Sequence, residues 1–193
     1  MSDVSLKRIE KGIKELATQQ KAICERLEAL ESRVSQTTGD VVSGDDVIEL
    51  LDGFRAGEAL GAASIGAWID VCTQDCVRGA LRTIQQREAM HARLLEERLR
   101  ELGAKPTFEI PAAEVERAMK DLGSTQKSDA QKLLEFAQKF PDADVLLKPI
   151  CDMLARLDHD QETQWLLRTI VQDERSTLAV VHEASAMLNP QAG

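Results

Sequence analysis

The chain has 193 residues, 43% of them hydrophobic and 30% charged, with a formal net charge of −9. This composition excludes a disordered chain and is enough for one domain with a real core plus an appendage. Its first 34 residues hold seven Lys or Arg against six Asp or Glu, so the acidic excess lies in the body, where nucleic acid or an anionic membrane is not an expected partner.

Residues 4–34 carry a heptad. One seam class is Leu6, Ile13, Gln20, Leu27 and Val34, and the other is Ile9, Leu16, Ile23 and Leu30. Alternating steps of three and four sustained over this length predict an N-terminal coiled-coil helix, residues 1–35, and a homo-oligomer formed through residues 4–34. Residues 36–44 read as a small, polar linker. The N-terminus is amphipathic rather than a secretory signal, no apolar run nears the roughly 20 residues that span a bilayer, and the four Cys are scattered. A cytoplasmic location, reduced thiols and no membrane association are therefore expected.

The body, residues 45–188, reads as all-α, because Val and Ile never alternate as they would in a strand. Ser43 or Asp45 is placed to cap a helix running to about Cys72, striped by Ile48, Leu51, Arg55, Glu58, Ala62, Ile65, Ile69 and Cys72. Thr73–Asp75 form a turn. The next helix, Arg78–Gly103, follows Leu81, Ile84, Glu88, His91, Leu95 and Leu99. A long connection holds Pro106, Pro111 and a short helix near 112–122. Two further short helices are expected at 128–140 and 143–157, and residues 189–193 form a tail. Asp158 or Asp160 starts the last long helix, striped by Thr163, Leu167, Ile170, Glu174, Thr177 and Val181. Trp68 and Trp165 read as packing residues.

Three helices thus carry a Glu on an apolar stripe. Glu58 lies 16 residues before Gln74 and Glu88 lies 14 residues after it, distances of roughly 24 and 21 Å along the helices. The two stand level when the helices fold back on each other. Glu174 is also mid-helix. Carboxylates at one height in a bundle are how an oxygen-rich cation site is made.

At Glu58, Glu88-x-x-His91 and Glu174 the chain resembles the ferritin-like di-iron carboxylate superfamily, which includes rubrerythrin-like proteins. The resemblance covers residues 45–188. It implies a ferritin-like four-helix bundle with a long crossover and extra short helices. It also implies Glu58, Glu88, His91 and Glu174 as metal ligands. Thr177 stands where the second motif would have His, and Asp144 is a poor match for the third-helix Glu. Two readings follow. In the first, the carboxylates are satisfied without metal by Arg55, His91 and Thr177, and the chain is an oligomeric assembly or interaction protein. In the alternative, a single Fe or Mn ion sits on Glu58, Glu88, His91 and Glu174, and the chain is an oxidoreductase or handles iron. The sequence does not decide whether it is an enzyme.

Overall fold

A computed structural model describes residues 43–189. The expected coiled coil, nearly all of the linker and residues 190–193 lie outside them. Among the described residues the fold is all-α. Its helices are α1 (Gly44–Val71), α2 (Asp75–Glu101), α3 (Ala112–Leu122), α4 (Asp129–Lys139), α5 (Ala143–Leu154) and α6 (Gln161–Leu188). No described helix is long and apolar enough to cross a membrane.

The helix ends follow local chemistry. Ser43 Oγ accepts from the Asp46 backbone N–H at 3.2 Å and starts α1. Ser128 and Gln131 form a reciprocal capping box at α4, and Asp160 caps α6 through the Thr163 N–H. The second helix starts at Asp75, three residues before the sequence placed it. The fifth ends at Leu154 rather than Leu157, with Ala155 as its C-cap.

α1 and α2 form the central antiparallel hairpin. α6 packs against α2 in the opposite direction, since Arg98 meets Asp160 and Thr163 while His91, a third of the way back along α2, meets Asp173. Both α4 and α5 pack on α6. Asn189 Nδ2 donates to the Ala130 carbonyl, His182 Nε2 to the Phe140 carbonyl and Gln164 Nε2 to the Leu154 carbonyl, so both short helices run antiparallel to α6. They amount to one rod interrupted at Phe140–Asp142, where Pro141 cannot donate a backbone hydrogen bond.

Three aspartates, two of them buried, fasten the connections to the helices. Asp52 accepts from the Thr107 and Phe108 backbone N–H groups at 2.6 and 2.7 Å. Asp129 accepts from Trp68 Nε1 at 2.8 Å, from the Thr73 N–H at 2.8 Å and from the Gln74 N–H at 3.1 Å. Asp160 holds Arg98 and Thr163. Burial pushes these carboxyls up, but the hydrogen bonds outweigh it and leave all three below the usual carboxylate range.

Apolar packing falls into two clusters. One gathers Val47 and Leu51 of α1, Leu95 and Leu99 of α2, Leu147 and Ile150 of α5, and Leu167 and Ile170 of α6. The other gathers Ile65 and Trp68 of α1, Val77, Leu81 and Ile84 of α2, Leu133 of α4 and Val181 of α6. In each long helix the polar residues fall between these two sets: Glu58 in α1, Glu88 and His91 in α2, Glu174 and Thr177 in α6. The interior is therefore two apolar layers with a polar layer between them. Trp68 packs as expected, whereas Trp165 is 64% exposed, with Arg168 over its ring. It lies between the stripe positions Thr163 and Leu167, on the outer side of α6.

Candidate metal centre

Three rods supply the polar layer. On α1, Glu58 is 3% exposed, and on α2, His91 is 1% exposed. His91 Nδ1 lies 3.3 Å from Glu58 Oε2 and 3.4 Å from Glu174 Oε1 of α6. One ligand atom from each of the three lies within 4.8 Å of the other two. Glu88, one turn before His91 on the same face, reaches across to α1. Its carboxyl fills the space beside Gly61, where an added Cβ would come within 3.1 Å of Glu88 Cδ. Counting along the helices makes Glu58 and Glu88 level, and the structure brings both to His91 and Glu174.

Two residues depart from expectation. Arg55 does not neutralise the buried glutamates. Its guanidinium bonds Asp52 at 2.8 Å and the Phe108 carbonyl at 2.9 Å. Asp52 is one turn away on the same helix, and Phe108 offers an acceptor on the strap above it. Both draw the long side chain away from Glu58. Thr177 is buried, yet its Oγ1 has no hydrogen-bond partner and does not serve a carboxylate. Glu174 extends towards α2 instead of along its own helix. Asp144 pairs with Arg175 near the surface, away from the layer.

Sequence reasoning missed Asp173. Asp173 Oδ2 lies 3.1 Å from His91 Nε2. It precedes Glu174 by one residue, about 100° round the helix, and so lies off the stripe that the spacing picks out. Gly61 is read from the sequence as thinning α1; only coordinates show that its missing side chain makes room for Glu88.

Proton affinities reflect the crowding. Burial opposes a charged imidazole, but contacts with Glu174, Glu58 and Asp173 override it and raise His91 to about 10. Burial and the neighbouring Glu58 and Glu174 charges push Glu88 up to about 9. Burial raises Glu58 as well. Without a metal, the cluster offsets its negative charge by holding protons.

The donor set fits a cation. Charge-assisted hydrogen bonds are about 2.7–2.9 Å long, and both Nδ1 contacts exceed this. Two ligand atoms each about 2.1 Å from one ion lie about 3.0–3.4 Å apart at octahedral to tetrahedral angles, the spacing of the two Nδ1 contacts, and the three ligand atoms lie within 4.8 Å of one another. Glu174 Oε1 is buried with only the 3.4 Å contact to His91 Nδ1. Once an ion displaces the extra proton of His91, Asp173 behind Nε2 favours the tautomer whose Nδ1 lone pair faces the carboxylates. Carboxylates with one imidazole suit Fe(II) and Mn(II). No family model, curated protein or solved structure matches the chain, so the chemistry of this layer is read from its own geometry.

Proposed function

We propose that the chain is a helical-bundle metalloprotein binding one iron or manganese ion through Glu58, His91 and Glu174, with Glu88 beside them. The observation that carries this reading is the convergence of His91 Nδ1 on two carboxylates from two other helices, with Arg55 engaged elsewhere. With that arginine on Asp52, the metal-free alternative is left with protonated His91 and Glu88 to offset the carboxylates. Asp173 orients His91, and Glu88 is the further carboxylate able to join the shell or keep its proton. A bound ion would supply Lewis acidity and, if iron, one-electron redox capacity. Thr177 in place of a second histidine supports one ion rather than two.

The ferritin-like bundle is part of the same proposal. It is supported by three long helices, a long connection after Gly103 and a fourth rod interrupted between α4 and α5. Metal analysis of protein purified from cells supplied with iron and manganese tests the reading. About one ion per chain is expected, falling to background in His91→Ala and Glu174→Ala. Wild-type protein without stoichiometric metal overturns it.

Self-association through residues 4–34 is a separate proposal, resting on the heptad alone. Removing residues 1–35 should lower the mass in solution, and an unchanged mass counts against it.

A further inference from the structure

Thr177 is the buried group in the polar layer that the proposed ligand set leaves unused. A helical threonine has an easy partner, the carbonyl four residues earlier. Thr83 Oγ1 bonds the Gly79 carbonyl in this way, and Thr169 Oγ1 bonds the Trp165 carbonyl. Thr177, 3% exposed, makes no such bond, and its hydroxyl has no partner at all. One turn before it on the same face of α6 lies Glu174, whose buried Oε1 has only the 3.4 Å contact with His91 Nδ1. A buried hydroxyl without a partner destabilises a fold unless something arrives to meet it. Such a hydroxyl, one turn from a candidate ligand on the same face, marks a place for a small polar ligand.

We propose that Thr177 Oγ1 is the hydrogen-bonding anchor for a water molecule that enters with the cation and completes its shell beside Glu174. This rests on the metal reading above. It assigns Thr177 as a positioning residue that acts on the ion through that water. The layer then keeps a position that a small exchangeable ligand can occupy.

Mn(II) titration of the full chain tests this, with free ion followed by electron paramagnetic resonance and bound water by proton relaxation. Wild-type protein should bind one Mn(II) with a clear relaxation enhancement. Thr177→Val keeps the shape and removes the hydroxyl. It should still bind one Mn(II), but about 10-fold more weakly, with a reduced enhancement and a metal-free melting temperature at or above wild type. Thr177→Ser should restore both affinity and enhancement. Thr177→Val with wild-type affinity and relaxation overturns the inference while leaving the metal site standing. So does a lowered metal-free melting temperature in Thr177→Val that Thr177→Ser does not restore, since that marks a packing role. Wild-type protein that binds no Mn(II) overturns both.

Discussion

The carboxyl of Glu88 occupies the volume that a side chain at Gly61 would fill. Glycine inside a helix is unfavourable by about 1 kcal/mol relative to alanine, so its presence in the middle of α1 marks a packing requirement. Gly61→Ala should displace Glu88, whose flexible end is the part in the way. The intrinsic helix gain and the displacement roughly offset each other, and stability should move by less than about 1 kcal/mol. Metal affinity should fall all the same. Chemical denaturation and Mn(II) titration on one preparation check the two effects separately.

Asp173 holds Nε2 of a histidine whose other nitrogen faces two glutamates. Asp173→Ala should weaken metal binding by about 10–100-fold, the usual effect of losing such a partner. Asp173→Asn keeps an acceptor and should weaken it less. At 30% exposure the aspartate itself contributes little to the core, so metal-free melting should change little in either variant.

The metal-free protein should be stabilised by acid over the middle of the pH range. Glu88 is raised from 4.5 to about 9 and His91 from 6.5 to about 10. In both, the folded chain keeps a proton that the unfolded chain has released. The stabilisation is complete below each unfolded value and is lost as pH rises through about 9 and about 10. Stability after chelation, measured by denaturant midpoints from pH 6 to 10, should therefore fall. Metal affinity should run the other way and rise with pH, because an ion must displace those protons. Potentiometry should record proton release on binding.

Arg55→Met separates the two possible placements of that arginine. Its partners are Asp52 and the Phe108 carbonyl, so the loss should fall on the strap at 107–108. A destabilisation of about 1–3 kcal/mol is expected, the range for hydrogen bonds to charged groups, with metal affinity unchanged. Faster amide exchange at Thr107 and Phe108 would locate the effect.

Helix periodicity carried most of what the sequence revealed. Steps of three and four place Glu58, Glu88, His91 and Glu174 inward, and counting from the turn at Gln74 brings the first two level. Periodicity fixes where a Cα–Cβ bond points, and for a short stiff side chain that settles the contact. It does not fix the end of an arginine, which reaches several ångströms along its helix and follows the nearest acceptor; Arg55 found Asp52. Nor does it separate Asp173 from the outer face, since a residue at the edge of a stripe can still touch a long ring on the facing helix. Pro141 separates the two short helices expected at 128–140 and 143–157, but that they form one rod packed on α6 depends on contacts with His182 and Asn189 that lie far away in sequence. The likeness at Glu58, Glu88-x-x-His91 and Glu174 rests on the same four positions.

The aspartates at 52, 129 and 160 have the opposite proton preference to the residues of the polar layer. Their folded values lie below the ordinary 3.8, so what they contribute is present above that value and disappears as pH drops through the folded ones. Strong acid therefore unfastens this molecule at its rim, where the loops let go first, while alkali strips protons from its hub. One chain has two modes of failure, and a cation bound at the hub should protect against only the second.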